Sequence, residues 1–319
     1  MEQQKIVKPY SANNRMRDII SDNHLILMVM TRFGISLGFG DKTVEEICEE
    51  TGTHTETFIA VANFISGRPY SLEKVDVASL IDYLKRAHNY FLDFNLPHIR
   101  RKLIESIDCS GRDQVAMLIL KFFDEYVTEV RNHMEYENQR VFTYVESLLK
   151  GEKNPEYNIR IFAGKHHHIE TRLKELKDII IRYYPQQSSD RLNSTLFDII
   201  NCEQDLNSHC MVEDRIFVPV VEKVEHLAET VLQYRNETGD DVPANTEADS
   251  LSPREKEIVG CVARGMSNKE IADALCVSIN TVTTHRRNIS AKLGIHSPVG
   301  LAIYAIVNKM VDINNLKLE

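Results

Sequence analysis

Apolar residues recur every three to four positions along much of this chain, the spacing that places them on one face of an α-helix. Between residues 76 and 235 this pattern runs through four long segments, at about 77–107, 112–150, 155–184 and 190–235. The breaks between the segments are short and contain glycine, proline or serine, which interrupt helices. Short connections make neighbouring helices antiparallel, so the pattern predicts an up-down-up-down four-helix bundle.

Shorter helices are predicted on both sides of the bundle. Residues 1–75 contain three helical segments, at 16–32, about 43–50 and 53–65, and predict a small helical domain. Residues 236–250 hold one valine and no other large apolar residue, so we expect a flexible acidic linker. Residues 251–319 predict four short helices, two of which begin with the capping boxes Ser252–Glu255 and Ser267–Glu270. The predicted fold class is therefore all-α.

Composition and charge narrow the class of protein. Of the 319 residues, 43% are hydrophobic, enough for packed cores, and the six cysteines show no metal-finger spacing. No apolar run approaches the ~20 residues of a membrane span, and no signal peptide is apparent, so we expect a cytoplasmic protein away from membranes. The net charge is −9, but residues 249–319 hold nine Lys and Arg against seven Asp and Glu. An acidic body with a mildly basic end is typical of a DNA-binding regulator that does not coat DNA indiscriminately.

Six polar residues fall at nearly one level of the predicted bundle. His88 lies about 20 residues before the first break and His133 about 22 after it. The corresponding polar residues on the other two helices lie within about one helical turn of this level. The second and fourth helices each carry a histidine and a glutamate four residues apart, which project from one face. The set is His88, His133, Glu137, His166, His209 and Glu213.

Four imidazoles and two carboxylates suit a pair of metal ions, each bound by two histidines, with both glutamates as bridges. Imidazole combined with carboxylate suits iron, and manganese and zinc accept the same ligands. We expect two non-haem iron ions per chain with an oxo bridge. One histidine–glutamate pair alone would more often be a solvated helix surface, but two pairs with aligned histidines favour a metal site. His167 and His168 adjoin His166, and either is an alternative ligand.

Four segments around the predicted ligands form a pattern: Arg86-Ala87-His88, His133-Met134-Glu135-Tyr136-Glu137, His166-His167-His168-Ile169-Glu170 and His209-Cys210-Met211-Val212-Glu213. Before the bundle, Phe33-Gly34-Ile35-Ser36 is followed by Lys42-Thr43-Val44-Glu45-Glu46. The pattern resembles hemerythrin-like domains, and the family for repair of iron centres (RIC) in particular. The resemblance implies a di-iron centre that reacts with oxygen, nitric oxide or peroxide. That family carries adjacent cysteines where Gly38 and Phe39 stand here, so we expect no thiol chemistry and a structural or interaction role for residues 1–75.

The third predicted helix of the C-terminal region carries a concentration of residues that recognise DNA. No acidic residue occurs from Ala274 to Val311. Arginine and lysine neutralise phosphates and read guanine edges, and threonine contacts thymine methyl groups or phosphates. Together with the preceding helix and the tight turn Cys276-Val277-Ser278, this helix predicts a helix-turn-helix. Its polar residues are Thr283, Thr284, His285, Arg286, Arg287 and Lys292.

A fixed pattern of residues runs through this region: Leu251, Pro253-Arg254-Glu255, Gly265, Asn268-Lys269-Glu270-Ile271-Ala272, Thr281-Val282, His285 and Lys292-Leu293-Gly294. The pattern resembles the LuxR/FixJ-type DNA-binding domain. The resemblance implies that the third helix enters the major groove of double-stranded DNA, with Thr283, Thr284 and Arg287 facing bases. It implies homodimers, often formed through the last helix, at about 298–310. The residues that it places towards phosphates are Lys269, Thr281, Arg286 and Lys292.

Together these features predict a one-component transcription regulator that senses oxygen, nitric oxide, peroxide or redox state and has no enzymatic function. Nothing in the chain alternates strand and helix, so a phosphorylated receiver domain is not the expected input. The expected signal is a shift of His209 and Glu213 that passes along the fourth helix, with Pro219 as its hinge. One alternative is a di-iron enzyme tethered to DNA that reduces nitric oxide or peroxide, or repairs iron centres. Another is a bundle that only dimerises and holds zinc or no metal.

Overall fold

Most of the helices predicted from the apolar pattern are present among the described residues. The third bundle helix, predicted from residue 155, is an exception, because residues 157–162 form no α-helix and contain a short 3-10 turn at Ile159–Ile161. A computed structural model describes residues 8–107, 114–150, 157–162, 167–184, 190–238, 251–293, 301, 304–305 and 310–311. Every named regular element in these ranges is a helix, which confirms the all-α prediction. The chain divides into two compact units, Met1–Glu222 and Lys223–Glu319. Among the described residues, no helix has both the length and the apolar character needed to cross a membrane.

Four short helices precede the bundle: α1 Met16–Asp22, α2 Ile26–Arg32, α3 Val44–Thr51 and α4 Thr55–Ile65. The periodicity from 16 to 32 predicted a single helix, but two form. They separate at Asn23, which has an extended backbone and whose side-chain oxygen accepts a hydrogen bond from the Leu25 N–H at 3.0 Å. An asparagine that bonds its own neighbouring backbone competes with helix continuation in this way. The start of α3 carries the capping box of Thr43 and Glu46.

The bundle follows, and each of its helices except the third changes geometry part-way. The first consists of α5 Val77–Asn89, a π-helical turn Tyr90–Asn95 and α6 Leu96–Ser106. The second consists of α7 Gln114–Tyr136, a π turn Glu137–Val141 and α8 Phe142–Leu149. The third is α9 His167–Tyr183. The fourth consists of α10 Asp190–Val212, a π turn Glu213–Phe217 and α11 Val218–Thr238.

These helices pack as a closed ring, because α6 contacts α7 and α10, and α9 also contacts α7 and α10. The first and fourth helices run antiparallel, since residue numbers rise along one as they fall along the other. The paired positions are His88 with His209, Lys102 with Asp198, and Ser106 with Thr195. Apolar side chains fill the centre of the ring, including the fully buried Leu96, Ile99, Phe123, Leu176 and Ile199. Burying each such side chain contributes about 1.5–3 kcal/mol to folding.

The π turns are the main departure from the sequence prediction, which expected continuous α-helices. Within the described residues, two of these turns begin at the predicted ligands Glu137 and Glu213, and the third begins two residues after His88. Pro97 and Pro219 each stand two residues beyond a turn. Proline lacks an N–H and its ring clashes with the carbonyl four residues earlier, so a wider turn accommodates it. The prediction placed the irregularity of the fourth helix at Pro219, whereas the structure places it at Glu213–Phe217.

The second unit contains α12 Pro253–Ala263, α13 Asn268–Ala274 and α14 Ile279–Leu293. Both predicted capping boxes are formed, at Ser252 and Ser267. Buried residues from the three helices and from Leu301 and Tyr304 form one apolar core. Most of the predicted fourth helix, at about 298–310, and linker residues 239–250 lie outside the described residues.

Candidate metal centre and DNA-binding surface

Four of the six predicted metal ligands form one buried cluster. One side-chain atom from each of His88, Glu137, His209 and Glu213 lies within 4.8 Å of all the others. The two imidazole Nε2 atoms are 3.2 Å apart. His88 Nε2 is also 3.2 Å from Glu137 Oε2, and His209 Nε2 is 3.2 Å from Glu213 Oε1. Both glutamates are 0% exposed, so the cluster is shielded from solvent.

His133 joins this cluster through Glu137, because its Nε2 lies 2.8 Å from Glu137 Oε1. Its side chain is 16% exposed, so it stands at the edge of the buried set. The predicted ligand His166 lies outside the described residues, and of the alternatives His167 and His168 only the helical backbone is described. The structure therefore brings five of the six predicted residues together.

Residues outside the predicted set hold the imidazoles in place. His88 Nδ1 is 3.0 Å from the side-chain oxygen of Asn138. An amide oxygen only accepts hydrogen bonds, so Nδ1 carries the hydrogen and Nε2 is left to face the cluster. The His88 ring also stacks on Phe142, with centroids 5.6 Å apart, and the ring of Phe91 lies 5.8 Å from that of His209. The Asn138 contact fixes which nitrogen His88 can offer to a metal, and the two aromatic rings restrict the orientation of the imidazoles.

The electrostatics of the cluster call for a positive charge. Burial acts to lower the pKa of His88, but hydrogen bonds to Glu137 and Glu213 outweigh it and raise that pKa to about 9. Burial lowers the pKa of His209, and Glu213 offsets this only in part. Two buried carboxylates without compensation would cost several kcal/mol each. Without a metal, a proton on His88 supplies part of the compensation; a metal cation would supply more.

The donor atoms suit a metal ion of intermediate softness. Imidazole nitrogen and carboxylate oxygen are typical ligands of iron, manganese and zinc. The cluster lies between helices of a four-helix bundle, where carboxylate-bridged metal pairs are commonly built. The residues present therefore fit a metal centre.

Helix α14, predicted to be the recognition helix that enters the major groove, presents a polar face to solvent. Asn280, Thr283, Thr284, Arg287 and Asn288 are all exposed, and their spacing places them on one side of a helix. The three residues predicted to face bases, Thr283, Thr284 and Arg287, are among them. The hydroxyls of both threonines donate to backbone carbonyls four residues earlier, at 3.0 and 2.9 Å. Their methyl groups and lone pairs are what they can offer to a base.

The residues predicted to face phosphates differ in their surroundings. Lys269 is exposed near the start of α13. Arg286 donates through Nη1 to Asn268 at 2.6 Å, and the Thr281 hydroxyl lies 2.8 Å from that of Ser278. Lys292 donates to Glu255 at 2.7 Å. Arg286 and Lys292 therefore hold helices together inside the unit.

Comparisons with known families match these two regions separately. Residues 79–221 match the family described as the hemerythrin HHE cation binding domain. Residues 249–305 match the bacterial regulatory proteins of the LuxR family. This chain joins a hemerythrin HHE domain to a LuxR-type domain. The HHE domain contains the whole cluster of histidines and glutamates, and the LuxR-type domain contains the exposed face of α14.

Curated relatives support the second assignment. The transcriptional regulatory protein MctR of Rhizobium johnstonii is 45% identical over 65 residues, which are 20% of this chain and 30% of that protein. The oxygen regulatory protein NreC of Staphylococcus carnosus is 42% identical over 85 residues, 26% of this chain and 38% of that protein. NreC of Staphylococcus haemolyticus is 42% identical over 73 residues, 23% of this chain and 34% of that protein. The chain thus spans only about a third of the length of these relatives.

Asn138 was missed by the sequence analysis, although it directly follows the predicted ligand Glu137. A residue of the right polarity next to a ligand was its only signal. Phe91 and Phe142 carried no signal, because an apolar residue at helical spacing predicts core packing in general. Two of the π turns of the HHE domain had a signal in the sequence, because Pro97 and Pro219 interrupt otherwise helical patterns.

Proposed function

We propose that this protein is a DNA-binding transcription regulator whose HHE domain holds a di-iron sensor. The observation that carries the proposal is one chain with a buried His–Glu cluster in an HHE domain and an exposed recognition helix in a LuxR-type domain. The ligands would be His88, His133, Glu137, His209 and Glu213, with His166 as the sixth. We place the protein in the cytoplasm, acting as a homodimer on double-stranded DNA.

An iron pair bound here would supply a centre whose charge and coordination respond to oxygen, nitric oxide or peroxide. The chain supplies everything else. Asn138 orients His88, the apolar bundle excludes water, and Glu137 and Glu213 provide carboxylates that can shift between positions. The names of two relatives refer to oxygen regulation, which is compatible with such an input.

The fourth helix provides a route for the signal. Glu213 is both a proposed ligand and the first residue of the π turn Glu213–Phe217, which leads directly into α11. A shift of the Glu213 carboxylate would therefore act on a turn that is already wider than an α-helix and borders Pro219. Converting a π turn to α geometry changes the rotation and rise of everything beyond it, since the two geometries differ in residues per turn. We propose that this change alters DNA binding.

The DNA contacts would divide by role. Thr283, Thr284 and Arg287 would read bases, and Lys269 would neutralise a phosphate. Thr281, Arg286 and Lys292 were also predicted on the phosphate side, but their contacts within the unit would give them a mainly structural role. Arg287→Ala should then weaken binding to the preferred sequence by roughly 1–3 kcal/mol and relax its specificity.

The first test is the metal content and visible absorption of protein purified without added metal. We expect about two irons per chain in the wild type, with oxo-bridged ferric absorption, and their loss in His133→Ala/Glu137→Ala. His98→Ala is the matched control, because this exposed histidine lies on the first bundle helix and stacks on Phe94. Stoichiometric zinc, or no metal, would contradict the sensor.

The second test compares iron-loaded and metal-free protein on a duplex selected from random sequences by the iron-loaded full chain. Affinities at one fixed salt concentration should differ about tenfold or more, a coupling of about 1.4 kcal/mol. Equal affinities would refute the coupling. Many turnovers of nitric oxide or peroxide by the full chain would instead support the di-iron enzyme.

A further inference from the structure

A buried arginine from the helices before the bundle reaches into it. Arg32, the last residue of α2, is 3% exposed, and its Nη2 lies 2.7 Å from both carboxylate oxygens of Asp205. Its guanidinium carbon lies 5.2 Å from the ring centroid of Phe91 and 5.9 Å from those of Tyr83 and Tyr90. A buried charge is tolerated only with such partners. Burial lowers the pKa of Arg32, but Tyr83 and Asp205 outweigh it, so that pKa lies above its ordinary value.

The partners of Arg32 lie on both helices that supply the central histidines. Asp205 is on α10, one helical turn before His209. Phe91 follows His88 by three residues, and its ring packs on His209. Arg32 thus contacts the two helices whose imidazole Nε2 atoms are 3.2 Å apart. Arg32 of α2 therefore contacts residues that lie within one helical turn of the two central histidines.

Among the described residues, no carboxylate or carbonyl accepts the outer hydrogen of His209. Such a histidine generally donates its outer N–H to a carboxylate, carbonyl or water. The outer nitrogen of His209, Nδ1, is buried and has no hydrogen-bond partner among the described residues. Asp205 stands one turn away on the same helix, at the spacing that lets side chains meet. Its two oxygens are instead held by Arg32.

We propose that Arg32 is a positioning residue for the metal centre, holding the Asp205 carboxylate away from His209 and offsetting its negative charge. This rests on the proposed function, since it requires a metal at the cluster. Removing Arg32 releases a carboxylate that can accept the His209 Nδ1 hydrogen, which makes the imidazole a stronger donor. Residues 1–75 thereby help to set how readily the centre is reduced.

The test is the midpoint potential of the iron-loaded full chain, measured by redox titration followed by visible absorption. Arg32→Met should lower the potential, because an extra negative charge and a stronger donor favour the oxidised centre. Asp205→Asn should raise it, because the positive charge of Arg32 is no longer offset. The double variant should return close to the wild type. Arg32→Lys, which keeps the charge, should shift the potential less than Arg32→Met and serves if that variant does not fold.

The pair Arg100 and Asp124 is a matched control. It also joins an arginine to an aspartate through two hydrogen bonds, of 2.7 and 2.9 Å. The two side chains are 45–46% exposed, and among the described residues they make no contact with a proposed metal ligand. Arg100→Met and Asp124→Asn should leave the potential unchanged. Shifts of the same sign in Arg32→Met and Asp205→Asn, or no shift beyond the controls, would overturn the proposal. Wild-type protein without iron would instead overturn the proposed function.

Discussion

The ion pair between Lys292 and Glu255 gives a structural role to a lysine that the sequence alone assigned to a phosphate contact. Lys292→Ala removes a donor 2.7 Å from a carboxylate that is 5% exposed. Glu255 keeps its hydrogen bond from the Ser252 N–H at 2.8 Å, so it is not left wholly unpaired. Breaking a fully buried pair costs about 3–5 kcal/mol, and an exposed pair is worth about 0–1 kcal/mol. Because Lys292 is 41% exposed, we expect a loss between these limits, about 1–2 kcal/mol.

Such a loss is measurable by thermal unfolding of the full chain, monitored in the transition of the second unit. For a domain of this size, each kcal/mol lowers Tm by roughly 4–8 °C. Lys292→Ala and a second variant, Lys269→Ala, should also be titrated with the selected duplex at several salt concentrations. Each phosphate contact contributes about 0.9 to the slope of log K against log salt. We expect Lys269→Ala to reduce the slope by about one contact with little change in Tm, and Lys292→Ala to lower Tm with little change in slope. The reverse assignment of the two effects would refute the reasoning.

Three further results are expected. Cys276, in the turn between α13 and α14, has φ +52°, a backbone conformation that costs a residue with a side chain about 1–2 kcal/mol. Cys276→Gly should therefore raise the Tm of the second unit, and Cys276→Val should lower it. Asn138→Ala should weaken iron binding by about 10–100-fold in competition with a chelator, because His88 loses the acceptor for its Nδ1 hydrogen; unchanged affinity would exclude that role. Burial raises the pKa of Glu255, but Lys292 and Ser252 outweigh it and hold that pKa below its ordinary value. The stability from this carboxylate is present above its ordinary pKa and lost as pH falls through the folded pKa. Lys292→Ala brings the folded pKa back towards the ordinary value, so in a plot of Tm against pH the acid-side decline should be smaller in that variant.

Local signals in the sequence were sufficient for most of the helices. The capping boxes at Ser252 and Ser267 form as predicted because each is complete within four residues. The level of His88, Glu137, His209 and Glu213 could be counted along the chain, since rise per residue is nearly constant in a helix. The all-α class and the four-helix bundle followed from the same periodicity.

Features that depend on contacts between distant residues could not be predicted. The pairing of Arg32 with Asp205 joins positions 173 residues apart, and neither residue differs locally from an ordinary surface charge. The π turn at Glu137–Val141 is followed by no proline in α8, unlike the other two turns, so its wider geometry has no signal in local sequence. The break at Asn23 could not be predicted, because a single asparagine inside an apolar pattern is compatible with a continuous helix. The helix ends there because the asparagine side chain accepts a hydrogen bond from the backbone.

The order of the two regions along the chain has a consequence for biosynthesis. Every proposed ligand, from His88 to Glu213, precedes the recognition helix that begins at Ile279. Domains fold as units, with the N-terminal one first during synthesis. The bundle can therefore fold and acquire its metal while the DNA-binding residues are still being translated. A newly made molecule would then reach the chromosome with its proposed sensor already folded and loaded with metal.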